Sequence, residues 1–153
     1  MAAGLGFDIH RLVPGRRLVL GGIAIDHPYG LLGHSDGDVV LHAVTDAILG
    51  AAGAGDIGER FPDSDPRWKD AASDVFLKAA VEEARRAWTV ENVDITIVAE
   101  EPKLGARKRE IAENVARLVG ARVNVKAKTA EGLGPIGNRE AVACLAVVEL
   151  RRK

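Results

Sequence analysis

Residues 140–150 constrain the fold more than any other stretch of this chain. Read as a strand, they place Leu145 and Val147 on one face and Val142, Cys144, Ala146 and Val148 on the other. A strand that is apolar on both faces needs cover on both. The helices of a two-layer domain can shield one face, and a second subunit is the expected cover for the other. The alternative is a strand buried wholly within the monomer. Cys144 is the single cysteine, which excludes an intramolecular disulfide and a Cys-rich zinc site, and it reads as a small buried residue.

The other elements follow from periodicity. A first strand runs to about Asp8, and Leu18-Val19-Leu20, Gly21-Gly22 and Ile23-Ala24-Ile25 read as a hairpin. Residues 36–51 carry Val40, Ala43, Val44, Ala47, Ile48 and Ala51 at the spacing of one helical face. A second helix is expected from an N-cap at Ser73 to about residue 87. A third carries Ile111, Val115 and Leu118. Residues 93–100 and 123–129 alternate as strands. Between residues 53 and 70 Gly, Asp and Pro replace any period, and a loop of that length is usually functional or mobile. The sum is an α/β (α+β) two-layer domain spanning residues 1–153, with a mixed four-stranded sheet covered by helices on one face and a small hairpin.

Charge narrows the function. Lys and Arg total 21 against 22 Asp and Glu, with no long basic run, so nucleic acid is not an expected partner. The basic stretch Arg151-Arg152-Lys153 reads as a solvated tail. No apolar run approaches membrane-spanning length and no signal-like segment stands at the first residues, so a cytoplasmic location with no membrane partner is expected.

The chemistry gathers around Asp8-Ile9-His10. On a strand, residues i and i+2 leave the backbone on the same side, so this carboxylate and imidazole project together. With His42, on the first helix, they form a set of two His and one carboxylate. Such a set holds a divalent metal and leaves a position open. Asp38 and Asp46, four residues either side of His42, are candidates to accept its second ring proton. Spacing alone leaves all three as metal ligands or as ordinary turn and core residues. His34-Ser35, just before the helix, suits an anionic oxygen, although Ser35 or Asp36 also reads as a plain N-cap. Glu131, after Thr129, is able to hold a hard cation. Asp56, Asp63 and Asp65 read equally as ligands or solvated turns.

Five segments together resemble the 2-C-methyl-D-erythritol 2,4-cyclodiphosphate synthase family over essentially the whole chain. They are Gly4-Leu5-Gly6-Phe7-Asp8-Ile9-His10-Arg11; Gly33-His34-Ser35-Asp36-Gly37-Asp38 with His42 and Thr45-Asp46; Gly55-Asp56-Ile57-Gly58 through Phe61-Pro62-Asp63-Ser64-Asp65-Pro66; residues 99–104; and residues 126–131. The resemblance implies a homotrimer packed around its sheets, with active sites between subunits. It also implies a small-molecule cytidine diphosphate substrate, 4-diphosphocytidyl-2-C-methyl-D-erythritol 2-phosphate, cyclised with loss of CMP. It assigns Zn²⁺, or another divalent transition metal, to Asp8, His10 and His42, and Mg²⁺ or Mn²⁺ bridging the phosphates to Glu131. His34 and Thr129 are implied to steady the phosphates in the transition state. Ser35, Asp56, Ile57, Gly58, Phe61, Pro62, Asp63, Ser64 and Asp65 are implied to face the methylerythritol part. Ala99, Pro102, Lys103 and Leu104, with Lys128, Ala130 and the phosphate-facing residues, complete the implied substrate contacts. Two departures stand out. Ala130 replaces a hydroxyl residue of many relatives. Pro135, Asn138 and Leu145 replace an aromatic, an Arg and a Glu that line a three-fold cavity for isoprenoid diphosphates, with Arg139 adjacent. A metal-dependent phosphohydrolase and a trimeric metal-stabilised binding module are the competing readings.

Overall fold

A computed structural model describes all 153 residues, Met1–Lys153. The chain opens with β1 (Ala2–Pro14), a hairpin of β2 (Leu18–Leu20) and β3 (Ile23–Ile25), and β4 (Tyr29–Leu31). Helix α1 (Val39–Ala52), the short α2 (Ile57–Arg60) and α3 (Asp74–Arg85) follow. Then come β5 (Trp88–Val98), α4 (Arg107–Val119), β6 (Arg122–Lys128), the short α5 (Gly134–Gly137) and β7 (Ala141–Arg152).

The main sheet has five strands in the order β4-β1-β7-β5-β6. It is mixed, because β5 and β6 run parallel while β1–β4, β1–β7 and β5–β7 are antiparallel. The expected four-stranded count is thus corrected to five. The added strand, β4, has three residues, too few to show an alternation, and pairs only with residues 12–14 at the end of β1. Pairing with β7 carries β1 past Asp8 to Arg11, and pairing with β4 carries it on to Pro14. Residues 151–152, expected as a loose tail, extend β7 and pair with β5 at Thr89 and Trp88.

One face of the sheet carries the core. Val142, Cys144, Ala146 and Val148 of β7 and Val93, Ile95 and Ile97 of β5 are all fully buried there, beneath α1, α3 and α4. The other face of β1 and β7 is bare along Leu5, Phe7, Ile9, Leu145 and Val147, with Phe7 54% and Val147 47% exposed, while Ala143 beside Ile9 is buried. This patch is the outer face of the doubly apolar strand.

Two local devices set the position of α1. Asp38 is its N-cap: Oδ1 accepts N–H bonds from Val40 and Leu41 at 3.1 Å, and also from Gly21 at 2.9 Å, while Oδ2 accepts from Gly22 at 2.6 Å. One buried carboxylate therefore caps the helix and pins the β2–β3 turn to it. That turn needs glycine, since Gly21 and Gly22 have φ of 61° and 76°. Second, α1 lies against β1 without side chains between them. A Cβ on Gly6 would sit 1.8 Å from the Ala43 carbonyl oxygen, and one on Gly4 2.0 Å from that of Ala47. The pairs run in opposite directions along strand and helix, and just beyond them Asp8 Oδ2 meets His42 Nδ1 at 2.9 Å.

Residues 53–70 are not structureless, as the absence of a period implied. They contain α2, capped by Asp56, and a 3₁₀ turn at Pro66–Trp68, capped by Asp65. Elements this short are below the reach of periodicity.

Overpacking a core costs about 1–3 kcal/mol, and here the clash is with backbone that cannot rotate aside. Gly6→Ala is therefore expected to destabilise the protein by about 3 kcal/mol, read as a shift in urea midpoint. It should also lower metal affinity, because Asp8 and His42 move apart.

Candidate metal centre and its cleft

Strand β1 delivers Asp8 and His10 to the helix-covered face, and α1 delivers His42 from its first turn. His10 Nε2 lies 2.8 Å and His42 Nδ1 2.9 Å from Asp8 Oδ2, and the two nitrogens are 3.2 Å apart. A tetrahedral ion with bonds near 2.05 Å separates its ligand atoms by about 3.3 Å. The three donors are thus nearly spaced for one ion, and they form the one His, Cys or carboxylate cluster of this kind in the chain. Burial alone would push the Asp8 carboxyl up, yet the flanking imidazoles of His10 and His42 hold it well below the usual carboxylate range. Burial likewise disfavours charged His10, and the hydrogen bond and charge of Asp8 outweigh it and raise its pKa.

The other ring nitrogens are also held. His10 Nδ1 donates to the Leu32 carbonyl at 2.7 Å, which leaves Nε2 free for an ion. His42 Nε2 faces the hydroxyls of Ser73 at 2.8 Å and Ser35 at 3.1 Å. The expectation that Asp38 or Asp46 accepts that proton is corrected: Asp38 is turned to backbone N–H groups, and Asp46 accepts from Ile57 N at 2.8 Å. Ser73 does not cap α3 through its side chain, and neither Ser35 nor Asp36 is the cap of α1. The His34–Ser35 loop is fastened by backbone bonds from Asp36 N to Ala71 O and from Asp70 N to His34 O, and by Arg16, which donates to Gly33 O and Ser35 O.

The three donors open onto a cleft of about 540 Å³. Its walls include His34, Ser35, Ile57, Gly58, Phe61, Pro62 and Asp63 from the expected set. Trp68 and Phe76 line it too and were not among the expected site residues; the signal for Trp68 is that it and Phe61 flank Asp63 and Asp65, whereas Phe76 reads as an ordinary apolar helix position. Phe61, Trp68 and Phe76 pack on one another with ring centroids 4.7–5.7 Å apart, which docks the 53–70 segment onto α3. Inside the cleft region, His34 Nε2 and Trp68 Nε1 are buried with no hydrogen-bond partner. Such atoms are costly unless a ligand or water completes them.

The remaining expected residues lie elsewhere. Ala99, Pro102, Lys103, Leu104, Lys128 and Thr129 line a second cavity of about 180 Å³ at the β5–β6 edge. Ala130 and Glu131 follow Thr129 and line neither cavity, and Glu131 is exposed with φ of 53°. Asp56, Ser64 and Asp65 also line neither; Asp65 is paired with Arg67 at 2.6 Å. No helix is long and apolar enough to cross a membrane.

The YgbB family model matches residues 1–151. A 2-C-methyl-D-erythritol 2,4-cyclodiphosphate synthase of Bordetella avium is 53% identical over 154 residues, covering 98% of this chain and 95% of that protein. Among solved structures, the bifunctional IspDF of Campylobacter jejuni is similar with a TM-score of 0.95 and 44% identity. The match covers 99% of this chain and 42% of that longer protein. A 2C-methyl-D-erythritol-2,4-cyclodiphosphate synthase in its CDP-bound form has a TM-score of 0.88 at 42% identity, covering 97% of this chain and 99% of that one.

The Asp8–His10 pair has a pH signature in the metal-free protein. A lowered Asp8 contributes stability above its ordinary value of 3.8 and loses it as pH falls through the depressed one. A raised His10 contributes below 6.5 and loses it as pH rises through the elevated one. The stability advantage over Asp8→Asn, from melts in chelator, should be largest between these values and shrink on the alkaline side.

Proposed function

The chain belongs to the YgbB family, and from that membership we infer that it cyclises 4-diphosphocytidyl-2-C-methyl-D-erythritol 2-phosphate to 2-C-methyl-D-erythritol 2,4-cyclodiphosphate, releasing CMP, in the non-mevalonate route to isoprenoid precursors. It is a phosphorus–oxygen lyase. The observation that carries this reading is the Asp8–His10–His42 triad at the wall of the cleft, with His34 Nε2 unpartnered beside it.

In the reaction, an oxygen of the 2-phosphate forms a bond to the β-phosphorus. The bond from that phosphorus to the CMP oxygen breaks, and CMP leaves with the electron pair. A phosphate oxygen is already ionised near neutral pH, so no general base is required. The difficulty is electrostatic, since several negative oxygens converge in a site of low effective dielectric. A zinc-like ion on Asp8, His10 and His42 would supply positive charge to a substrate phosphate, as would Mg²⁺ or Mn²⁺ on Glu131. His34 and Thr129 donate hydrogen bonds to phosphate oxygens and hold them in line. The aromatic and Ile57 wall excludes water, and Ser35, Asp56, Gly58 and the 61–65 segment face the methylerythritol part. The cavity formed by Ala99, Pro102, Lys103, Leu104 and Lys128 receives the cytidine phosphate.

The sheet register supports a homotrimer with shared sites. Asp8 pairs with Cys144, Cys144 with Ile97, and Ile97 with Ala127. The triad and the second cavity therefore lie at the same level of the sheet, three strand spacings or about 14 Å apart. Cys144 and Ile97, between them, are fully buried. Neighbouring copies packed through the bare Leu5–Phe7–Ile9–Leu145–Val147 face would join one subunit's triad cleft to the next subunit's nucleotide cavity, and that face has the apolar character such packing needs.

Purified protein with Zn²⁺ and Mg²⁺ is expected to release CMP and cyclic diphosphate in equal amounts. His42→Ala should lose both by about 100-fold or more. Linear phosphate products would instead indicate a phosphohydrolase. Light scattering should give a mass near three times 16.2 kDa; a monomer at micromolar concentration would sink the shared-site arrangement.

A further inference from the structure

His42 has two ring nitrogens, and a neutral imidazole offers a lone pair at only one of them. Its Nδ1 faces Asp8 Oδ2 and His10 Nε2, and its Nε2 faces Ser73 Oγ at 2.8 Å. Which nitrogen keeps the proton therefore depends on Ser73, whose hydroxyl has one hydrogen to give. Asp36 is placed to take it. Ser73 O–H donates to Asp36 Oδ1, and Ser73 N–H donates to Asp36 Oδ2 at 3.1 Å. Asp38 N–H holds the same carboxylate at 3.0 Å. A carboxylate only accepts, so the Ser73 hydrogen is committed to it and the Ser73 oxygen turns a lone pair to His42. Asp8 Oδ2 accepts at Nδ1 in the metal-free protein; once a cation takes that place, His42 donates from Nε2 to Ser73 and its Nδ1 lone pair is left for the ion.

The placement of Ser73 supports this use. It occupies the N-cap position of α3, where a serine ordinarily bonds the first-turn N–H groups, yet it makes no side-chain cap bond. It is fully buried, so its hydroxyl is confined to Asp36, His42 and, at 3.4 Å, Ser35. Ser35 Oγ accepts from Gly37 N at 3.4 Å and lies 3.1 Å from His42 Nε2 as a second oxygen on the same side.

We propose that Ser73, backed by Asp36, is the positioning pair that holds His42 in its Nε2–H tautomer and thereby sets the affinity of the Asp8–His10–His42 site for a zinc-like divalent ion. The proposal rests on reading those three residues as a metal site, and is independent of the reaction carried out there. The two residues come from different elements, 37 positions apart in sequence, and meet only because the 68–73 segment is laced to the 33–37 loop.

The test measures Zn²⁺ affinity by competition with a chromophoric chelator and the His42 ring ¹⁵N shifts of the zinc-loaded protein, with thermal melts to verify folding. Wild-type His42 is expected to bind zinc through Nδ1 and to keep its hydrogen on Nε2. Ser73→Ala should weaken zinc binding by roughly 10–100-fold, and Ser73→Thr, which keeps the hydroxyl, should recover most of the affinity. Asp36→Asn tests the direction of the chain independently. Its amide can donate to Ser73 Oγ, turning the hydroxyl hydrogen to His42 and favouring Nδ1–H, again with weakened zinc. Folded Ser73→Ala and Asp36→Asn proteins that bind zinc as tightly as wild type would overturn the proposal, as would zinc held by His42 Nε2 in the wild type. If these measurements come out as expected while the authentic substrate yields no CMP, the reaction assignment fails and the positioning role stands.

Discussion

The absence of two side chains on β1 governs the rest of the molecule. Gly4 and Gly6 let α1 rest its backbone on the strand at Ala47 and Ala43, nearer than any Cβ would permit. The helix answers with small residues at the same spacing: Ala43, Ala47 and Ala51. Because strand and helix are in contact at backbone distance, their side chains just beyond the contact are forced together. Those side chains are Asp8, His10 and His42. The candidate metal site is thus an outcome of close packing, and the rigidity it needs comes from this backbone-to-backbone junction.

Polar groups inside the protein are spent almost entirely on the same region. The buried polar side chains are Ser35, Asp38, Thr45 and Ser73. Thr45 bonds back to Leu41 O within α1, and the other three fasten the segment that leads into the helix. Asp38 binds the β2–β3 turn to the helix start, while Ser35 and Ser73 face His42. Outside this region half of the chain's ion pairs are exposed helix pairs such as Lys78–Asp74 and Arg109–Glu113, which contribute little to stability. The fold concentrates its satisfied buried polarity where geometry must be held, and relies on apolar packing elsewhere.

A single copy leaves two things unfinished. An apolar face of β1 and β7 has no helix over it, and the two cavities carrying the expected site residues lie on opposite sides of β7 and β5. The proposed trimer would answer both, with the hydrophobic surface providing association energy and the register setting which cavities meet.

Much of this was legible without coordinates. The i, i+2 relation of Asp8 and His10 needs only an extended backbone, and the doubly apolar pattern of β7 needs only a period of two. The amphipathic helices α3 and α4 follow from a period of 3.6. What was misread depended on partners distant in sequence. Asp38 and Asp46 share a helix side with His42, but a carboxylate at a helix start is drawn to unpaired N–H groups, and Asp46 found Ile57 N instead. Ser73 was read as a cap because local chemistry favours it there, and tertiary packing turned its hydroxyl to Asp36. The fifth strand and the short helices of residues 53–70 were too brief to leave a periodic trace. Local backbone geometry and hydrophobic period therefore determined the longer elements and singled out Asp8, His10 and His42 as candidate donors. Only the folded chain decided what His42 meets on either side of its ring, because hydrogen-bond direction depends on groups brought together across more than 30 residues.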